Sequence, residues 1–147
     1  MIYYLRNFIT IVNNYKNVME CPACKSELII LEFNQIEIDY CQDCSGIWLD
    51  AGELELLSGN SLHTELMKQF QAANETKEAS RNCPICRKNM QKYFFGSSKD
   101  LLIDICPNEH GIWFDNNELI KVVSFIDDDG SVRITNFLND IFNNKNK

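Results

Sequence analysis

The sequence predicts a small metal-bound α+β fold made of two tandem modules. One motif occurs twice, over residues 39–54 and again over 104–119, and both copies contain Gly-Ile-Trp and end in Glu-Leu. A Cys-Pro-x-Cys pair precedes each copy, at 21–24 and at 83–86. Modules of about 40 residues are too small to be held by an apolar core alone, so metals or disulfides are expected.

Seven cysteines in 147 residues favour metal-bound thiolates over disulfides. Seven is an odd number, so complete pairing would leave one thiol unpaired. The sequence shows no convincing signal peptide, and disulfides are rare in the reducing cytoplasm. We therefore expect a cytoplasmic protein whose cysteines bind metal.

The formal net charge of -7 disfavours nucleic acid as a partner. Asp and Glu number 21 against 14 Lys and Arg, and metal-bound thiolates make the balance more negative. Non-specific affinity for nucleic acid comes from basic side chains that displace counterions from phosphates. The charge favours protein partners, although a local basic patch can exist on an acidic protein.

Residues 1–19 form an N-terminal extension of different character. Its apolar residues recur at roughly helical spacing, and we expect a peripheral helix or an unstructured lead-in. These residues are Ile2, Leu5, Ile9, Val12 and Met19. The extension is too polar to span a bilayer, and only Arg6 and Lys16 could contact anionic lipid if it lay on a membrane surface.

The first module covers residues 20–58 and begins with a predicted hairpin. An apolar run over 28–33 and an alternating run over 36–40 predict its two strands. Residues 47–49 predict a short third strand. A short helix should follow, because an acidic pair three positions apart resembles a capping box.

The second module covers residues 82–126 and repeats this plan. Its hairpin strands are predicted over 90–95 and 101–105. The acidic pairs that we expect to cap the helix in each module, with an acidic recognition surface as the alternative, are Asp50 with Glu53 and Asp115 with Glu118.

A helical connector over residues 59–81 joins the modules, and a C-terminal helix with a tail occupies 127–147. The connector's apolar positions share one helical face, which we expect to pack against the modules; they are Leu62, Leu66, Phe70 and Ala73. The run 127–130 is expected to be a solvated turn, since its glycine comes too early for a calcium loop.

Four cysteines of the first module have the spacing of a tetrahedral zinc site. They follow C-x2-C-x16-C-x2-C, so two tight turns can present four sulfurs to one ion. Four thiolates also bind iron in some proteins, which is an alternative for this site. Gly46 follows the second turn, where we expect a positive φ. The predicted ligands are Cys21, Cys24, Cys41 and Cys44.

The second module replaces one of these cysteines by a histidine. When the two Gly-Ile-Trp triplets are aligned, Cys106 falls opposite Cys41. Glu109 falls opposite Cys44, and His110 follows it. Imidazole cannot form a disulfide but does bind zinc, so the replacement favours zinc. The predicted ligands are Cys83, Cys86, Cys106 and His110, and we expect two zinc ions per chain.

Four protein ligands complete each predicted site, so we expect structural zinc and no enzyme activity. A catalytic zinc keeps an open position for water, and the sequence offers no Ser-His-Asp group beside it. Trp48 and Trp113 are expected to pack beside the metal turns, with exposed binding anchors as the alternative. Asp39 and Asp104 are expected to accept hydrogen bonds from the turn backbone or from a ligating histidine.

The motif Cys-Pro-x-Cys, a hairpin, then Asp-x-Cys-x2-Cys-x-Gly-Ile-Trp-Leu-Asp-x-Gly-Glu-Leu resembles the small bacterial zinc-finger domain named after transcription factor IIB. Residues 21–54 match it closely. Residues 83–119 depart from it at His110 and at Asn117, where the first copy has Gly52. The resemblance implies a zinc-ribbon fold and assigns ligand roles to the eight residues named above, but it implies no defined activity.

The leading hypothesis is a cytoplasmic protein with two structural zinc ribbons that acts as a protein-interaction or adaptor module. The alternative, nucleic-acid binding or transcriptional regulation, predicts a contiguous basic face made by Arg81, Arg87, Lys88, Lys92 and Lys99. A third hypothesis, a redox or zinc-dependent enzyme, requires an open coordination position. No transmembrane segment is expected, and the sequence leaves the oligomeric state open.

Overall fold

The computed structural model describes residues 2–5, 8–11, 18–126 and 129–144. The strands are β1 (Ile2–Leu5), β2 (Phe8–Ile11), β3 (Ile29–Phe33), β4 (Ile36–Tyr40), β5 (Ile47–Asp50), β6 (Phe70–Ala72), β7 (Gln91–Phe95), β8 (Leu101–Ile105) and β9 (Gly111–Phe114). The helices are α1 (Glu53–Ser58), α2 (Asn60–Met67), α3 (Glu118–Val123) and α4 (Asp129–Asn144).

One antiparallel sheet contains all the described strands, in the order β1-β2-β3-β4-β5-β9-β8-β7-β6. Each module supplies a three-stranded meander, β3–β4–β5 in the first and β7–β8–β9 in the second. The meanders meet edge to edge, because β5 pairs with β9 in a register that sets Trp48 opposite Trp113. The predicted α+β class with two ribbons is confirmed, and the two ribbons share one sheet.

The larger of two apolar clusters contains residues from both ribbons. Helix α4 covers the hairpin of the first ribbon, where the ring centroids of Phe137 and Phe33 lie 4.8 Å apart. At the other end of the sheet, the ring of Phe70 lies 5.0 Å from that of Phe95. Helix α4 takes this position because its apolar residues repeat at helical spacing, and the buried ones are Ile134, Phe137, Leu138 and Ile141.

The helix expected in residues 1–19 is wrong, because the described part of this extension is a β-hairpin. Strand β1 pairs with β2, and β2 continues the sheet by pairing Thr10 with Leu31. These two short runs are rich in β-branched and aromatic residues, which suit an edge strand. Met19 is half-buried and packs against a smaller buried cluster that contains cysteines and both tryptophans. Val12 lies outside the described residues.

The connector helix is correct only as far as Met67, because residues 70–72 form strand β6. The free edge of β7 supplies the backbone partners that a helix would have supplied. The amide of Gly96 donates to the carbonyl of Gln69 at 3.0 Å, and that of Ala73 to the carbonyl of Lys92 at 2.9 Å. In both the N-terminal extension and the connector, hydrogen bonding to a free sheet edge therefore decides the backbone conformation, although the apolar residues have helical spacing.

The solvated turn expected over 127–130 is also wrong at its second half. Asp129 and Gly130 already belong to α4, whereas 127 and 128 lie outside the described residues. A carboxylate in the first helical turn interacts favourably with the positive end of the helix dipole, which explains Asp129 there. No helix within the described ranges is both long and apolar enough to cross a membrane.

Candidate metal centres

Tight backbone turns shape the Cys-x2-Cys pairs. In the first turn the amide of Lys25 donates to the carbonyl of Cys21 at 3.0 Å. The amides of Ala23 and Cys24 point at the sulfur of Cys21, each at 3.4 Å. Such N–H groups stabilise a thiolate at this position. The residue after each complete pair has a left-handed backbone, with φ of 70°, 64° and 63° at Lys25, Ser45 and Arg87.

The first ribbon brings its four predicted ligands together. Zinc bound to four thiolates at about 2.3 Å separates neighbouring sulfurs by about 3.8 Å. In the structure the sulfurs of Cys21 and Cys44 lie 3.5 Å apart, and those of Cys24 and Cys41 lie 3.4 Å apart. All four ligand atoms lie within 4.8 Å of one another. The donor set and its size therefore fit a tetrahedral zinc ion.

The second ribbon does the same with three cysteines and a histidine. The sulfur of Cys106 lies 3.7 Å from that of Cys86 and 3.6 Å from Nδ1 of His110. The sulfur of Cys83 lies 3.9 Å from the same nitrogen. The left-handed residue of this turn is Glu109, with φ of 59°, which lies two positions before Gly111. In the first ribbon it is Ser45, which lies one position before Gly46. This shift brings His110 to the place that Cys44 occupies in the first ribbon.

The transcription factor zinc-finger family matches residues 20–58 and 82–124, more than half of the chain. The chain belongs to this family. Each match contains one complete ligand set, which confirms two tandem copies. The zinc-finger chain matches no curated protein and no solved structure.

The two departures of the second zinc finger from the motif have structural reasons. His110 supplies a ligand atom, as described above. Gly52 and Asn117 both precede a helix in the left-handed region, with φ of 89° and 68°. Asparagine tolerates this region better than most residues, so it can replace glycine there.

Burial and hydrogen bonding shift the pKa values of five thiols of the zinc fingers in opposite directions. Burial raises the pKa of Cys21, and raises that of Cys44 and Cys83 to about 11. A hydrogen bond from the Ser26 side chain lowers the pKa of the exposed Cys24 to about 6. A backbone hydrogen bond from Lys88 likewise lowers that of Cys86 to about 6. Cys24 and Cys86 therefore supply thiolates readily, whereas Cys21, Cys44 and Cys83 need a cation to lose their protons.

Both tryptophans of the zinc fingers are fully buried, so the exposed-anchor alternative is wrong. Each packs against a glycine of the other finger. A Cβ added at Gly46 would lie 2.1 Å from Cζ2 of Trp113, and one added at Gly111 would lie 2.6 Å from Cζ2 of Trp48. Gly46 is therefore needed for this close approach. The expected positive φ at Gly46 is wrong, because the left-handed residue is Ser45.

Only half of each predicted capping box exists. The carboxylate of Glu53 accepts a hydrogen bond from the amide of Asp50 at 2.7 Å. The carboxylate of Asp50 instead accepts the indole N–H of Trp48 at 2.8 Å, and Asp115 accepts that of Trp113 at 3.0 Å. A buried indole N–H needs a hydrogen-bond acceptor, so each aspartate binds the indole and does not cap the helix. The repeated Trp-x-Asp spacing was the available signal for this contact.

The two buried aspartates behind the metal turns have different surroundings. Asp104 accepts a hydrogen bond from Lys92 at 2.8 Å, and Lys92 also contacts Glu78 at 3.1 Å. Lys92 thus lies beside the clustered carboxylates of Glu78, Asp104 and Asp115, and its ammonium supplies a positive charge that offsets their negative charge. In the first finger Ile30 pairs with Asp39 where Lys92 pairs with Asp104, and burial raises the pKa of Asp39 to about 7. The expected partners of Asp104, turn backbone or histidine, are replaced by this lysine.

Proposed function

We propose that this protein is a non-enzymatic protein-interaction or adaptor module in which two zinc ions, one per finger, hold the fold. The observation that supports a structural role is the closed donor set at each centre. Four protein atoms within 4.8 Å of one another complete a tetrahedral shell. A zinc ion held in this way has no open position for water or substrate, which disfavours the enzyme hypothesis.

The placement of the basic side chains favours a protein partner over nucleic acid. Lys92 is only 8% exposed and is bound by two carboxylates. Arg87 lies beside a metal turn and pairs with Glu20 at 3.0 Å. Lys99 follows the far end of β7, where its ammonium lies 5.8 Å from the ring centre of Phe94. The burial of Lys92 and the separation of Lys99 from Arg87 disfavour the contiguous basic face that the alternative requires.

Each finger presents a cleft beside the tip of its hairpin. The first, about 400 Å³, lies between the β3–β4 turn, α1 and the start of α4, and Leu56 on its wall is 65% exposed. The second, about 420 Å³, lies between the β7–β8 turn and the end of α3, and Phe125 there is 52% exposed. Exposed apolar side chains at clefts of this size are typical of binding surfaces.

Two measurements test the proposal. Metal analysis of the purified chain is expected to find two zinc ions, and fewer than one per chain would refute the structural role. Affinity capture from extracts of the source cells should then recover a protein that Leu56→Asp no longer binds. Val132→Asp is the matched control, since Val132 is 57% exposed but does not line the cleft. Binding of labelled nucleic acid at about 150 mM salt would favour the alternative instead.

A further inference from the structure

The contact between the two zinc fingers has the form of a symmetric dimer interface. Strands β5 and β9 carry the same motif and run antiparallel, with Trp48 opposite Trp113 at the centre. On one side of this centre Ile47 pairs with Phe114, and on the other Leu49 pairs with Ile112. Equivalent positions of the motif therefore face each other across a pseudo-two-fold axis, as they do in an isologous contact between identical subunits.

Further contacts connect the two fingers in both directions. We define the first half as residues 18–73 and the second half as residues 81–144. The C-terminal helix of the second half covers Phe33 of the first, and β6 of the first half extends the sheet of the second at β7. The tryptophan of each half fills the space above the glycine of the other. Each half therefore buries apolar side chains against the other.

The covalent link between the halves is short and exposed. Residues 74–80 are all exposed, and Glu78 within them pairs with Lys92. The segment forms no helix or strand, and it is polar throughout apart from Ala79. A two-fold interface joined by an exposed polar segment is the arrangement that permits two copies to exchange identical parts.

We propose that the first half of one copy pairs with the second half of another through the β5–β9 edge, as the halves pair within one chain. The partner that this interface fits is a second copy of the chain. The inference does not depend on the adaptor role, because it concerns the contact between the halves and not the outer clefts.

The first test opens the covalent link in the folded, zinc-loaded chain. A protease site inserted between Thr76 and Lys77 would be cleaved after purification, in ¹⁵N-labelled and in unlabelled protein. At about 10 µM the cleaved halves should remain paired with both zinc ions, and mixing the two samples should produce mixed-label pairs by native mass spectrometry. Separation of the halves with zinc still bound, or pairs that never mix, would overturn the proposal.

A glycine substitution tests whether the strand edge holds the pair. Gly46→Ala directs a methyl group into Trp113 and is expected to weaken the association of the cleaved halves about 10- to 100-fold. Gly59→Ala is the matched control, because its added carbon meets nothing within 4 Å. Zinc content of each half distinguishes weaker pairing from a half that fails to fold. Equal affinity for the two variants would assign the association to α4 and β6 instead.

The intact chain provides a second test. Zinc would be removed with a chelator and returned at a protein concentration of about 1 µM or about 1 mM, the latter comparable with the effective concentration of two tethered halves. The proposal predicts monomers at the low concentration and a zinc-loaded dimer fraction at the high one, by size-exclusion chromatography with light scattering. Monomers alone at both concentrations would overturn the exchange.

Discussion

Gly46→Ala in the uncleaved chain is expected to destabilise both zinc fingers at once, although it alters only the first. The added carbon would lie 2.1 Å from Cζ2 and 2.3 Å from Cη2 of Trp113. Carbon atoms in contact are normally about 3.5–4.0 Å apart, so the ring would have to move by more than about 1 Å. Trp113 is fully buried, and its indole N–H donates to Asp115 at 3.0 Å. Movement therefore strains both the packing and this hydrogen bond.

The expected loss follows from these two contributions. Overpacking a buried site costs about 1–3 kcal/mol. Leaving the indole N–H without its partner costs about 1–3 kcal/mol more. We therefore expect a loss of about 2–6 kcal/mol in the free energy of unfolding, a large fraction of the roughly 5–15 kcal/mol typical of a whole domain.

Guanidinium unfolding of the zinc-loaded chain, followed by tryptophan fluorescence, measures this loss. Gly59→Ala serves as the reference, since it carries the cost of alanine at φ of 80° without any clash. Gly59 also has ψ of 147°, a backbone region that is essentially restricted to glycine, so alanine there costs about 1–3 kcal/mol. If Gly46→Ala loses no more than Gly59→Ala, the reciprocal packing of the tryptophans is wrong.

Four further predictions concern the metal centres and the buried charges. Excess chelator should unfold the chain, because structural zinc supplies folding free energy; circular dichroism unchanged by complete zinc loss would contradict this. His110→Ala should reduce the zinc content by one ion whereas His110→Cys retains both, as measured by elemental analysis. Burial raises the pKa of Glu53 to about 8, above its value of about 4.5 in the unfolded chain. Between these two pH values the folded state binds more protons than the unfolded state, so the stability contributed by this group falls as the pH rises from about 4.5 to about 8. Glu53→Gln should therefore gain stability over the parent at pH 8 but little at pH 5, and parallel pH profiles would refute this. Lys92→Met should cost up to about 3–5 kcal/mol because it leaves Asp104 buried without its cation, and the additional change Asp104→Asn should recover most of that loss in urea unfolding.

The grouping of the eight candidate ligand residues could be predicted because the chemistry of a metal turn is local. Two sulfurs on a tight turn need only a few residues to face one ion, and the repeat of the motif identified which residues matter. His110 became recognisable through its comparison with Cys44 and Ser45 at the same place in the first copy. The structure brings all eight predicted ligand residues together in two groups of four.

The edges of the sheet could not be predicted because their partners are distant in the sequence. Residues 2–5, 8–11 and 70–72 are short runs that are compatible with a helix or a strand, and the free edges of β3 and β7 decide between them. The pairing of β5 with β9 is of the same kind, since nothing near Trp48 in the sequence specifies Trp113 as its neighbour. The burial of Lys92 could not be predicted either, because its approach to Asp104 depends on the hairpin register.

The covalent link between the two fingers changes what a single substitution can do. In a dimer of identical subunits every mutation occurs twice around the axis, so a lysine that suits one side is imposed on the other. Here the axis relates two different sequences, and each side varies alone. Lys92 can neutralise one aspartate while Ile30 lies opposite its counterpart, and a histidine can complete one centre while the other keeps four thiolates. One architecture thus carries two unlike halves, each open to separate adjustment.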